Sequence, residues 1–186
     1  MKLLAFFLTI IFLPAAAIGQ VPTDNVEMTA MFDADQAMRK ADFSKMRPDE
    51  MGKVASTDAT HRARTRVLLD EGKLTTGTDF WHAAFVFQHG GEPSDYLLAH
   101  SLAVAAAARG RADATWIAAA TLDRYLIAIG QPQVFGTQYR WNNGGPTTQE
   151  PYNRTLLSDG VRVVMGVPPI AKQKQKLDEI VKERGQ

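Results

Sequence analysis

Three histidines, His82, His89 and His100, lie close together in the chain and are the first side chains to weigh for acid/base or metal chemistry. His82 and His89 are seven positions apart, which on a helix puts them within about 20° of one face but about 10.5 Å apart along the axis. One zinc ion, with ligand nitrogens at about 2.0 Å, cannot be held by both. The i, i+4 pair of a helical metal site is absent, so no metal is expected. His89, beside Gly90-Gly91 at the end of a helical stretch, is placed to act as a general base on an open surface, or equally to sit at the negative end of the helix dipole. Asp123-Arg124 follows on a stretch where Trp116, Ala119, Ala120, Asp123 and Ile127 share a helical face. A carboxylate in such a stripe has to be paired, either in a structural lock on ions or loop backbone or in a polar floor that orients His89. Arg124 suits bidentate capture of a carboxylate or phosphate. The run from Gln131 to Tyr139 is dense in amides and glycine. Gln133, Gly136, Thr137 and Gln138 could line a ligand pocket there, or their amides could satisfy the preceding helix end.

Other chemistries lack their residues. No serine stands in a G-x-S-x-G elbow, and neither a Walker loop nor G-x-G-x-x-G occurs, so no cofactor is expected. The chain has no cysteine, which removes disulfides, thiol nucleophiles and iron–sulfur clusters. Twenty-one Lys+Arg balance 20 Asp+Glu across 186 residues, against a nucleic-acid partner held by bulk charge.

The elements that must position these residues are helical. A weak helix is expected from Phe32 to Phe43, then an irregular connection over Lys45–Lys53 around Pro48 and Gly52, then a helix from Asp58 to Glu71 capped by Ser56 or Thr57. Thr78 caps a helix over Asp79–His89; Pro93-Ser94 opens another over Asp95–Arg109; a third runs from Ala112 to Ile129. Short breaks between them require antiparallel neighbours, and the alanines from Ala99 to Ala108 allow close approach of the helix axes. Residues 131–160 are rich in Gly, Pro, Asn, Thr and Gln. Because thirty residues without structure are unusual, Val134–Trp141 and Thr147–Tyr152 are expected to pair as a β-hairpin across Asn142-Asn143-Gly144-Gly145. A short helix over Ser158–Met165 and a terminal one over Ile170–Glu183 complete the reading. The fold class is therefore mainly α, antiparallel helical hairpins forming a bundle, with a small C-terminal β-hairpin appendage. The divisions are a signal at 1–19, a lead-in and weak helix at 20–55, and one α-helical domain at 56–186.

The N-terminus carries an export pattern. Lys2 is followed by the apolar run Leu3–Leu13 and by Pro14, then Ala17 and Gly19 at a small-residue cleavage site, with the cut expected before Gln20. A membrane-spanning helix needs roughly 20 apolar residues, and this run is shorter. The expected product is periplasmic or secreted, with no membrane association after cleavage.

The order Gln88-His89, Asp123-Arg124-Tyr125-Leu126, Gly130, Gln133, Gly136-Thr137-Gln138, Arg162 and Gly166-Val167-Pro168-Pro169 resembles a widespread bacterial domain of unknown function, marked by QH…DRxLxxxGxxQxxGTQ…RxxxGxPP. The resemblance covers Asp58 to Ile180. It implies that His89, Asp123, Arg124, Gln133 and Gln138 belong to one spatial cluster, and it carries no activity with it. The functional expectation is binding of a small molecule, peptide or partner through that cluster. The alternative is a hydrolase or lyase with His89 as acid/base, Asp123 orienting it, and Arg124 or Gln138 holding an oxyanion.

Overall fold

The computed structural model describes residues 22–141 and 145–185, and the apolar run with its cleavage site lies outside them. Seven α-helices follow one another among the described residues: α1 Val26–Met38, α2 Pro48–Asp70, α3 Gly77–Phe87, α4 Pro93–Ala108, α5 Ala114–Ala128, α6 Asp159–Val164 and α7 Ile170–Glu183, with a 3-10 turn at Phe43–Lys45 between the first two. None is long and apolar enough to cross a membrane.

α3, α4 and α5 pack as consecutive antiparallel neighbours, as their short connections require. Ala99, Ala103 and Ala106 of α4 are fully enclosed and face Ala83, Ala84 and Phe87 of α3 and Ile117 and Ala118 of α5 in one apolar core. α1 and α2 lean on the outer side of α3, contributing Met28, Met31 and Leu68 to that core. The start of α3 is Thr76, whose hydroxyl accepts from Asp79 N at 3.0 Å while the Asp79 carboxylate accepts from Thr76 N, a reciprocal cap two residues before the expected one. Asp79 also accepts from Thr75 N and, at 2.7 Å, from Asn25 N. It thereby ties the entry of α1 to the entry of α3.

Three expectations change here. The first helix spans Val26–Met38, not Phe32–Phe43, because Asn25 caps it by accepting from Met28 N at 2.9 Å. Lys45–Lys53 is not a continuous irregular connection: Pro48 occupies the first turn of α2, where its missing N–H is no loss, and Glu50 accepts from Arg47 N at 2.9 Å to close the cap. The helix runs unbroken through Gly52, so the division at 55–56 falls inside α2. The β-hairpin is also absent, and no strand forms among the described residues. Two isolated bridges stand in its place, an antiparallel one between Arg140 and Thr148 and a parallel one between Gln133 and Tyr152.

Buried side chains do the work a ladder would have done. Gln133 donates to the carbonyls of Gln138 and Gln149 and accepts from Gln138 N at 3.0 Å. Gln149 donates to Gly136 O at 2.6 Å, and Gln173 of α7 donates to Phe135 O and Pro168 O. All three glutamines are essentially enclosed. Backbone groups removed from water must be paired, and here amide side chains pair them without strands.

The aromatic layer between α1, α3 and α5 yields a pH prediction. His82 stacks on Phe32 with ring centroids 4.1 Å apart, and Trp81 and Phe85 pack around Phe32. Burial, reinforced by the Arg111 charge and only partly opposed by Asp33, Asp24 and Asp79, holds the His82 pKa below its ordinary value of 6.5. The unfolded chain therefore takes up this proton first, and folding free energy is lost as pH falls below the unfolded value, until the folded ring itself protonates. Urea unfolding midpoints at pH 7.5, 6.5 and 5.5 are expected to fall more steeply for the wild type than for His82→Phe. Parallel profiles would refute the assignment.

Candidate functional site

Consecutive residues on a helix point about 100° apart, and that rotation divides Asp123 from Arg124. Asp123 is fully buried and faces the 131–141 segment. Its Oδ1 accepts from Val134 N at 2.8 Å and Phe135 N at 3.0 Å, and its Oδ2 accepts from Thr137 N at 2.9 Å and Thr137 Oγ1 at 2.8 Å. One carboxylate thus holds the loop through three backbone donors and one hydroxyl. Gly136 makes the wrap possible: its φ is +81°, and a Cβ there would collide with Gln173 and Tyr152.

Arg124 turns the other way, into a cavity of about 440 Å³ lined by Gly91, Pro93, Tyr96, Arg124, Ile127, Ala128, Gln138 and Arg140. Gln138 joins the two regions, since its amide donates to Ala120 O and Thr137 Oγ1 while the residue forms part of the cavity wall. Tyr96 is fixed by donating its hydroxyl to Gly90 O at 2.8 Å.

His89 lies on the α3–α4 turn that leads to Gly91, and it pairs with Asp35 of α1, not with Asp123. Its Nε2 is 3.5 Å from Asp35 Oδ2, outside hydrogen-bonding geometry, so the contact is one of charge when the ring is protonated. Asp35 also accepts from Gln36 at 2.8 Å and from Arg39 at 3.1 Å, and Arg39 reaches on to Asp58 of α2 at 2.6 Å. Burial would raise the Asp35 carboxyl, but His89, Arg39 and Gln36 together outweigh it and hold it below the ordinary carboxylate range. Arg62 of α2 donates to His89 O at 2.9 Å and fixes the turn from outside.

The single cluster read from the sequence therefore resolves into three parts. Asp123, Gln133, Gly136 and Thr137 form an internal lock; Arg124 and Gln138 line the cavity; His89 belongs to a charged network with Asp35, Arg39 and Asp58. The orienting role assigned to Asp123 in a catalytic pair does not arise, because all its contacts go to the loop. His82 and His100 are taken up separately, the first in the aromatic layer and the second with its Nδ1 2.9 Å from Ala118 O. No family model, curated protein or solved structure matches the chain. The geometry alone carries the functional reading.

Tyr96, Arg140 and Asp35 have no counterpart among the residues read from the sequence. Asp35 had a signal: Met28, Met31 and Asp35 stand at i, i+3, i+7 and are the buried face of α1. Tyr96 and Arg140 had none, because each reaches the cavity only through the packing of α4 and the loop beside α5.

The electrostatics of the cavity are one-sided. Among the described residues, four buried side-chain atoms have no hydrogen-bond partner, Arg39 Nε, His61 Nδ1, His89 Nε2 and Arg124 Nε, and of these only Arg124 lines the cavity. The guanidinium Nε–H groups can only donate. Burial lowers the Arg124 pKa from its ordinary value, Tyr96 opposes the shift and the nearby Arg39 charge adds to it. Among the described residues no Asp or Glu lines the cavity.

Proposed function

We propose that this protein is an exported helical domain that binds a small acid-bearing ligand in the cavity at Arg124. The observation that carries the reading is a half-buried guanidinium whose enclosed Nε has no hydrogen-bond partner, in a concave wall with no acid among the described residues. A buried cation without a counter-charge is unfavourable, and an incoming carboxylate supplies both the charge and the acceptors. The mixture of apolar walls (Pro93, Ile127, Ala128) with a few fixed polar groups is typical of ligand sites of roughly 300–1,000 Å³. The N-terminal run Leu3–Leu13 with Ala17 and Gly19 supports export. The acid/base alternative lacks the His89–Asp123 pair on which it rested.

Titration calorimetry with butanoate and benzoate tests the reading. Wild-type protein is expected to bind them, and Arg124→Gln, with circular dichroism and melting behaviour retained, to bind about 10- to 100-fold more weakly, the loss expected for a charged hydrogen bond. Equal affinity in the variant, or no binding by the wild type, would overturn it.

A further inference from the structure

The wall that holds Arg124 carries a second cation. Arg140 lines the same cavity, and its backbone is fixed by the reciprocal bonds Arg140 N to Thr148 O at 2.7 Å and Thr148 N to Arg140 O at 2.8 Å. Several arginines of the surface are neutralised locally: Arg47 has Asp49, Arg64 has Glu27, Arg111 has Asp113 and Arg154 has Glu150. Arg66, Arg109 and Arg184 instead stack on the rings of Phe87, Phe80 and Trp141. Arg124 and Arg140 have no carboxylate within ion-pair distance among the described residues. The formal charge of the described lining residues is therefore +2.

Besides the two arginines, the wall carries the apolar residues Pro93, Ile127 and Ala128. Ile127 and Ala128 lie one turn along α5 from Arg124, and Pro93, the first residue of α4, lines the same cavity. A compact inorganic anion would leave most of a 440 Å³ space, and its apolar wall, unfilled. Resting on the reading of this site as a carboxylate binder, we infer that its ligand is an organic dianion with two separated acidic groups, one received by Arg124 at the wall of α5 and the other by Arg140 on the loop, with an aliphatic spacer against Ile127, Ala128 and Pro93. Gln138 and Tyr96 contribute fixed polar atoms beside the two ends.

The test compares monocarboxylates with α,ω-dicarboxylates of equal carbon number (butanoate with succinate, pentanoate with glutarate, hexanoate with adipate) by calorimetry at fixed ionic strength, with inorganic phosphate as a further probe. At least one diacid is expected to bind tenfold or more tightly than its monoacid partner. Arg140→Gln is expected to weaken that diacid tenfold or more, down to about the monoacid's affinity, and to weaken the monoacid far less. Arg140→Lys, which keeps the charge, is expected to retain part of the preference and guards against a variant that merely perturbs the loop. Arg124→Gln is expected to weaken both classes. Equal binding of monoacids and diacids by the wild type, or an Arg140→Gln variant that keeps the preference, would overturn the two-ended ligand while leaving the acid-binding site in place. Phosphate binding as tightly as the best diacid would also overturn it, in favour of a single compact anion. Failure of every carboxylate to bind would remove the site reading itself.

Discussion

Asp123→Ala is expected to destabilise the protein by about 3–5 kcal/mol, the range for removing one partner from a buried charged network. The carboxylate accepts four hydrogen bonds and is fully enclosed, so its loss strands the amides of Val134, Phe135 and Thr137 without water. Each buried donor left unpaired costs about 1–3 kcal/mol, tempered here by whatever water the opened loop admits. Asp123→Asn keeps one acceptor oxygen but turns an NH₂ group toward donors, and an intermediate loss is expected. Native-state hydrogen exchange locates the effect: the amides at 134, 135 and 137 should lose protection at denaturant concentrations where the α3–α5 core remains protected, because Ile117 and Ala118 belong to a different apolar cluster from the one that holds Phe135. Because Gln138 and Arg140 ride on that loop, carboxylate binding should weaken together with local protection. A loss below about 1 kcal/mol, or uniform loss of protection across the bundle, would refute the lock.

That expectation also explains what could be read before the fold was seen. Helices α3 to α5 were legible because caps, glycine stops and alanine periodicity agree with one another, and their ends differ by only a residue or two. The start of α3 moved from Thr78 to Thr76 because the segment offers several competent hydroxyls, and only the reciprocal bond with Asp79 selects between them. Pro48 misled because a proline read as a breaker is equally a helix opener, and the sequence does not say which neighbour's helix it begins. Asp123 and Arg124 were visible as a pair worth attention, yet adjacency in sequence hid their divergence: one turns into the loop and the other into the cavity. The hairpin failed for a deeper reason. Gln133, Gln149 and Gln173 replace strand pairing with side-chain amides drawn from well-separated parts of the chain, and a buried glutamine has no periodic signature to announce it.

Arg162 carries the other large effect, and Arg162→Met is expected to destabilise by about 3–5 kcal/mol. It is the largest fully enclosed side chain among the described residues, standing on the short helix α6 with its head in the irregular region. Its guanidinium donates from Nε to Tyr152 Oη at 3.1 Å, from Nη1 to Leu157 O, and from Nη2 to Arg154 O at 3.2 Å and Val134 O at 3.4 Å. Asp159 Oδ1 lies 3.5 Å from Nη1 and supplies the counter-charge. A planar fork with five donors can address carbonyls from three directions at once, which is why an arginine and not a lysine stands here. Methionine fills much of the volume but leaves those carbonyls and Tyr152 without their donor, and Tyr152 in turn supports Phe135 O and Gln173. Arg162→Lys restores the charge with three donors on a flexible stem and should recover less than half of the loss. Urea unfolding of the three proteins, read by far-ultraviolet circular dichroism, separates the outcomes. If lysine restores full stability, charge alone is sufficient and the fork is not what holds the segment; if methionine is neutral, the irregular region is held by its glutamines and by Asp123 without help from α6.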